Sequence, residues 1–222
     1  MLVLSIAFWA FLLQSVYMGI GLVLMITVHE VGHMIAARSR GLAVSLPEFS
    51  PLGASVQVEG ARNAAEEAYV KLAGPLVGGL AGILAMALGL VFSIPDLFEV
   101  GRMAVFLNLF NLIPLDPLDG GAVANSLSRH FWVVGAAIFA CVSYWLAQLN
   151  PVNIMFIFFI GLQAVELVGA RMRMWQATPR YFAVSGGKKF VIAISYAAIA
   201  GALFAVAMQP HLVRQLLVVL GL

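Results

Sequence analysis

Val28-His29-Glu30-Val31-Gly32-His33 decides the fold, because it places three polar side chains inside an otherwise apolar helix. No charged residue precedes it over residues 17–27. Two histidines at positions i and i+4 lie about 40° apart around a helix, so His29 and His33 can reach one metal ion. Glu30 lies near enough to take a proton from water at that ion, as in the H-E-x-x-H pattern. Such groups are costly at membrane depth and usually functional. The stretch therefore predicts a zinc site with Glu30 as general base.

The composition is that of a helical membrane protein. The chain has 222 residues, of which 63% are hydrophobic and 10% are charged, whereas a soluble domain carries roughly 25% charged residues. Its apolar runs are long and continuous, unlike the alternation of a membrane barrel. A net charge of +2 does not suggest nucleic acid, so we expect the lipid bilayer and no nucleic acid as a partner. Cys141 is the single cysteine, which excludes an internal disulfide and a cysteine-based zinc site.

Hydrophobic segments of helical length predict an all-α polytopic membrane protein with about six to seven transmembrane helices. The expected helices are 2–14, 17–38, 63–93, 98–113, 131–148, 152–170 and 190–208, with a short polar helix before 130, a polar stretch over 171–189 and a weakly amphipathic tail over 210–222. Pro114 breaks the fourth helix. The glycines over 74–82 predict close packing against a neighbouring helix, and Asn108 is expected to form a hydrogen bond between helices.

Residues 41–60 predict a short membrane-associated β-hairpin next to the metal motif. Prolines and glycines exclude a helix there, and the alternation over 54–59 indicates a strand with one polar face. A surface hairpin with no role at the site is the alternative. Asn63 is expected to cap the following helix, with Glu66 completing a capping box.

Positive charge is unevenly divided between the loops, which predicts the orientation. If the helices cross alternately, only Arg102 and Arg214 fall on one side. The other side carries Arg38, Arg40, Arg62, Lys71, Arg129, Arg171, Arg173, Arg180, Lys188 and Lys189. That side should face the cytoplasm. We therefore expect a multi-pass protein, located in the cell inner membrane, with its active site toward the cytoplasmic side.

Two histidines leave the zinc site short of a ligand, because catalytic zinc usually has three protein ligands and a water. The candidates at similar depth are Asp116, Asp119 and Glu166. The two aspartates lie in the irregular segment 114–121. Irregular backbone at membrane depth is tolerated only where protein or a water-filled cavity surrounds it. The residues alone leave the choice between the two aspartates open.

Two motifs together resemble the site-2 protease family of intramembrane zinc metalloproteases. His29-Glu30-x-x-His33 precedes Asn111-Leu-Ile-Pro114-Leu-Asp-Pro-Leu118-Asp119-Gly120, as the family's H-E-x-x-H precedes its N-x-x-P-x-x-x-L-D-G motif. Ala73-Gly74-Pro75-Leu76 is similar to the start of the family's intervening helix. The resemblance implies that Asp119 is the third zinc ligand and that Asn111 lies near the scissile peptide. Asp116 is then expected to be a solvated loop carboxylate, and Glu166 to pair with an arginine or line a cavity.

The resemblance also implies a function. It suggests one integral membrane metalloprotease domain over 1–222, without a PDZ or CBS domain, with its catalytic core at about 17–130 and additional helices at 131–222. With Zn²⁺ bound, it would hydrolyse peptide bonds in or near the transmembrane segments of single-span membrane proteins, cut once beforehand by another protease. Val56, Gln57 and Val58 would pair with the unwound substrate by strand addition. A non-hydrolytic membrane zinc-binding or transport protein is the alternative.

Overall fold

The structure is a computed structural model that describes residues 1–50, 53–149 and 152–219. Within these ranges the chain is mostly helical. Its helices are α1 Leu2–Leu13, α2 Val16–Ser39, α3 Ala64–Val91, α4 Pro95–Asn111, α5 Asp119–Leu127, α6 Trp132–Leu149, α7 Val152–Ala177, α8 Gly186–Met208 and α9 His211–Val219. Its short strands are β1 Ala43–Val44, β2 Glu48–Ser50, β3 Gly53–Ser55 and β4 Val58–Glu59. The predicted order of helices and hairpin is confirmed.

Several helix ends differ from the predicted ones. The helix expected over 152–170 continues as α7 to Ala177, and α8 begins at Gly186 instead of residue 190. The polar stretch 171–189 is therefore partly helical, because arginine and lysine favour helices nearly as well as leucine. The tail from residue 210 forms α9, which buries Val213 and Leu217.

Three helices of the described part are long and apolar enough to cross a membrane: Val16–Ser39, Ala64–Val91 and Gly186–Met208. Together with the composition, they make the chain an integral membrane protein. The larger count of about six to seven transmembrane helices stays a prediction.

The chain divides into two compact units. The first unit comprises Met1–Gly60, Ala73–Leu109 and Ala197–Leu222. The second comprises Ala61–Leu72 and Phe110–Tyr196. The H-E-x-x-H helix and all four strands lie in the first unit, whereas the motif that contains Asp119 lies in the second.

In the first unit, the predicted hairpin is two nested antiparallel pairs. β2 pairs with β3, and β1 pairs with β4. β1 and β3 pack against α2, and β2 packs against α1. The expectation of one continuous strand over 54–59 is wrong, because the strand is interrupted at Val56 and Gln57. The backbone N–H of Val56 donates to the Glu30 carboxylate (3.0 Å) and that of Gln57 to Ser45 Oγ (2.9 Å), so neither bonds to a neighbouring strand.

In the second unit, the predicted break at Pro114 is confirmed. Helix α4 ends at Asn111, and the irregular segment 112–118 leads to α5. Ile113, Leu115 and Leu118 of this segment are buried in an apolar cluster with Phe139 and Ala164, from α6 and α7. Apart from Pro117, every residue of this segment is buried. This burial gives irregular backbone the protein surroundings that it needs in a membrane.

The start of α3 also agrees with the sequence. The Glu66 backbone N–H donates to Asn63 Oδ1 (3.1 Å), which is the predicted cap. The Glu66 carboxylate in turn accepts the backbone N–H of Arg62 (2.8 Å), one residue before the expected position. The cap and the ion pair with the Arg62 side chain fix the first turn of α3.

Candidate metal centre

The three polar residues of the H-E-x-x-H motif form a buried cluster on α2. His29, Glu30 and His33 are 6%, 7% and 2% exposed. One ligand atom from each lies within 4.8 Å of the other two, and the two histidine Nε2 atoms are 3.0 Å apart. The sequence predicted this cluster because helical geometry alone places positions i and i+4 on one face.

Close packing of α2 against α3 creates the space for the histidine rings. A Cβ atom at Gly32 would lie 2.6 Å from the Ala73 carbonyl oxygen. A Cβ at Gly74 would lie 2.4 Å from two ring atoms of His33 and 2.9 Å from His29 Nε2. Only glycine fits at these positions without displacing a neighbour. The close packing predicted from the glycines is therefore found, and it is found next to the metal motif.

Asn108 on α4 contacts His29 directly. Its Oδ1 lies 2.7 Å from His29 Nδ1, and its Nδ2 donates to the Ala104 carbonyl (2.8 Å). Asn108 is 3% exposed. The expected hydrogen bond between helices is thus confirmed, and its partner is a predicted zinc ligand. The sequence predicted this hydrogen bond because an amide in an apolar helix is costly without a partner. No local pattern in the sequence identifies His29 as that partner.

The interrupted strand approaches the predicted base. The Val56 N–H donates to Glu30 Oε2 (3.0 Å). The segment of strands β1 to β4, which we call the β-layer, therefore lies beside the cluster as predicted. Gln57 and Val58 bond elsewhere in that layer: the Gln57 carbonyl accepts from the Ser45 backbone N–H (3.0 Å), and Val58 pairs with Val44. Of the three residues expected to pair with substrate, the structure brings Val56 to the cluster.

Asp119 and Asn111 belong to the second unit. Asp119 is the first residue of α5 and is 5% exposed. One of its carboxylate oxygens lies 3.0 Å from Lys71 Nζ, a contact that the sequence did not suggest. Asn111 is the last residue of α4 and is half-buried. The roles of Asp119 as third ligand and of Asn111 at the scissile peptide stay predictions.

Asp116 is not the solvated carboxylate that was expected. It is 7% exposed and accepts hydrogen bonds from Asn125 Nδ2 (3.0 Å) and Arg171 Nη2 (3.4 Å). Arg171 also donates two hydrogen bonds, of 2.9 and 3.1 Å, to Glu67. The Tyr181 hydroxyl donates to the same Glu67 carboxylate (2.9 Å). These five residues form what we call the Arg171 network. Its partners lie far apart in the sequence, so spacing could not reveal it.

Glu166, the remaining candidate ligand, does not belong to the Arg171 network. Glu166 is exposed on α7, and within the described ranges no arginine pairs with it. The expected arginine pair is therefore not found there.

The Tyr181 hydroxyl of the Arg171 network lies in the loop between α7 and α8. Its burial, and secondly the nearby Glu67 carboxylate, raise the pKa of Tyr181 above the ordinary value of 10.0. Tyr181 is therefore a neutral hydrogen-bond donor at physiological pH.

The donor atoms of the first unit fit a zinc ion. A tetrahedral zinc with Zn–N distances of about 2.0–2.1 Å keeps two nitrogen ligands about 3.4 Å apart. The 3.0 Å between His29 and His33 Nε2 is within a few tenths of an ångström of this value. Two imidazoles with an adjacent carboxylate are also the donor set of hydrolytic zinc sites. The fold and the site define the class as a helical membrane protein with a metallopeptidase-type centre.

Comparisons with known proteins agree with this class. Residues 17–104 match the model of peptidase family M50. A zinc metalloprotease of Methanocaldococcus jannaschii is 29% identical over 125 residues, which are 54% of this chain and 35% of that protein. The site-2 protease of Methanocaldococcus jannaschii has a similar fold, with a TM-score of 0.54 and 21% identity over 75% of this chain and 86% of that structure.

The chain is similar to peptidase family M50 over residues 17–104, and its fold is similar to that of a site-2 protease, in line with the resemblance of the two motifs. It spans about a third of the length of the curated relative that it matches. The family match covers the cluster on α2 and the β-layer, and it ends before Asn108.

Proposed function

We propose that this chain is a zinc-dependent endopeptidase that cleaves membrane-anchored proteins in or near their transmembrane segments. The observation that carries the proposal is the buried cluster of His29, Glu30 and His33 within an apolar helix long enough to cross a membrane. A carboxylate and two imidazoles are costly there, and they are retained together in the arrangement that peptide hydrolysis requires.

His29 and His33 would hold the zinc ion, and the resemblance adds Asp119 as the third ligand. When bound, zinc supplies a Lewis acid that polarises the scissile carbonyl and makes water more acidic. The first unit provides the two nitrogen donors within 3.0 Å of each other. Asp119, in the second unit, provides a buried carboxylate at the start of α5.

Glu30 would move the proton. Its carboxylate takes a proton from the attacking water as the new C–O bond forms at the peptide carbonyl carbon, and it delivers that proton to the amide nitrogen as the C–N bond breaks. Water is thereby added across the peptide bond, and the base is regenerated. Burial of Glu30 at 7% exposure keeps bulk water from competing for the carboxylate.

The β-layer would hold the substrate in an extended form. A transmembrane helix hides its carbonyls in hydrogen bonds, so the segment to be cut must unwind. The backbone between β3 and β4 passes next to Glu30 at Val56, and we infer that an extended substrate pairs with Val56, Gln57 and Val58 by strand addition. Asn111 would hydrogen-bond the substrate near the scissile peptide. We infer single-span substrates, shortened beforehand by another protease, and an active site toward the cytoplasmic side of the cell inner membrane.

The test compares the wild type with Glu30→Gln on a panel of single-span substrates in liposomes, with zinc content measured for both. Glu48→Gln makes the same change at an exposed β2 glutamate and serves as the matched control. We expect about one zinc per chain in all three proteins and cleavage by all except Glu30→Gln. Cleavage by Glu30→Gln at the wild-type rate would refute the role of Glu30. Zinc in every protein with no cleavage by any would favour a non-hydrolytic zinc protein.

A further inference from the structure

We propose that Asn108 is a positioning residue of the metal centre, which fixes the proton of His29 on Nδ1 and so presents its Nε2 lone pair to zinc. The inference deepens the proposed function, since it needs a zinc ion at His29. It assigns a role to a side chain that lies outside both sequence motifs and does not touch the metal or the substrate.

The first step is the orientation of the Asn108 amide. Its Nδ2 donates to the Ala104 carbonyl, one turn earlier on α4, at 2.8 Å. A carbonyl can only accept, so this bond identifies the nitrogen end of the amide. The oxygen end must then face His29, whose Nδ1 lies 2.7 Å away. The amide is fixed by its own helix and presents an acceptor to α2.

The second step is the tautomer of His29. Because Asn108 Oδ1 can only accept, Nδ1 must carry the hydrogen, and a neutral ring then has its lone pair on Nε2. That Nε2 is the atom 3.0 Å from His33 Nε2, on the side where the metal would bind. In the other tautomer, two lone pairs would face each other across the 2.7 Å between Nδ1 and Oδ1. The metal-binding form is therefore set before zinc arrives.

The third step is the fit of Asn108 between the helices. Asn108 is 3% exposed, so water does not replace its hydrogen bond. A Cβ atom at Gly78 on α3 would lie 2.4 Å from Oδ1 and 2.8 Å from Nδ2 of the amide. Glycine at this position leaves the space that the amide occupies. The Asn108 side chain on α4 thus lies between Gly78 on α3 and the Nδ1 side of the His29 ring on α2.

Groups that hydrogen-bond a metal-ligating histidine typically contribute 10–100-fold to metal affinity. We therefore expect Asn108→Leu, which has similar volume and no acceptor, to weaken zinc binding about 10–100-fold. Asn108→Asp keeps an oxygen acceptor and should stay within about threefold of the wild type. Val105→Ala removes packing from a fully buried position of the same helix but no hydrogen-bond acceptor, and should leave zinc affinity unchanged.

The experiment measures zinc affinity by chelator competition on the purified full chain in detergent, with thermal stability recorded for each variant. Loss of affinity in Asn108→Leu, with retention in Asn108→Asp and Val105→Ala, supports the proposal. Equal zinc affinity in Asn108→Leu and the wild type overturns it, whatever happens to stability. Equal loss in Asn108→Asp and Asn108→Leu also overturns it, because the acceptor would then be irrelevant.

A second measurement does not depend on a variant that folds. Nitrogen-15 NMR of the histidine-labelled, metal-free wild type reports which ring nitrogen of His29 carries the hydrogen. We expect Nδ1, and a hydrogen on Nε2 would overturn the proposal. Neither readout uses cleavage. A protein with the expected affinities and tautomer that cuts no substrate would refute the proposed function and leave the role of Asn108 intact.

Discussion

Replacement of Arg171 by methionine tests whether the Arg171 network holds the second unit together. The guanidinium donates two hydrogen bonds to Glu67 and one to Asp116. Arg171→Met keeps the apolar stem and removes the charge, so two carboxylates lose their only arginine partner among the described residues. Removing one partner of a fully buried ion pair costs about 3–5 kcal/mol. The Arg171 and Glu67 side chains are 18% and 21% exposed, so water recovers part of this cost and we expect about 2–3 kcal/mol.

The assay is the free energy of unfolding in mixed micelles, measured by titration with a denaturing detergent. Arg173→Met is the matched control, since it removes the same group from an exposed position on α7, and it should cost less than about 0.5 kcal/mol. Glu67→Gln and the double variant complete a mutant cycle, which isolates the energy of the pair. Equal effects of the two methionine variants, or a coupling energy near zero, would refute the reasoning.

Two further predictions concern the β-layer and the Tyr181 hydroxyl. Val56→Pro removes the N–H that reaches Glu30, so substrate cleavage should fall well below that of Val56→Ala, which keeps the N–H; equal cleavage would exclude a role for this backbone. Tyr181→Phe removes a hydrogen bond to the Glu67 carboxylate and should lower the free energy of unfolding by about 1–2 kcal/mol. The raised pKa of Tyr181 means that the folded state holds the phenol proton more tightly than the unfolded state does. The free energy of unfolding of the wild type should therefore fall as the pH rises above 10.0. A denaturation series over the same pH range in Tyr181→Phe should show a smaller decrease.

Local patterns predicted the metal cluster, since helix geometry alone brings His29, Glu30 and His33 together. They also predicted the break at Pro114, because proline cannot continue a helix. They did not predict the burial of Asp116, which accepts a hydrogen bond from Arg171, a side chain 55 residues away in sequence. Sequence spacing carries no information about such a partner.

The β-layer shows the same limit at the level of backbone hydrogen bonds. The alternation over residues 54–59 indicated a strand, and strands did form at both ends of it. Whether a strand continues depends on where each N–H finds its acceptor. The acceptor for Val56 is Glu30, on a helix. A tertiary contact therefore overrides the local pattern, and it does so at the residue nearest to the metal motif.

The contact between Gly78 and Asn108 also constrains how this chain can change during evolution. The amide fills the space that a larger residue at position 78 would need. A first substitution at 78 would displace the amide from His29, and a first substitution at 108 to an apolar residue would remove the acceptor that faces His29 Nδ1. Either of these single substitutions would weaken zinc binding, so an apolar residue at 108 and a larger residue at 78 are expected to appear together. Homologues with a residue larger than glycine at the position of Gly78 should therefore lack asparagine at the position of Asn108.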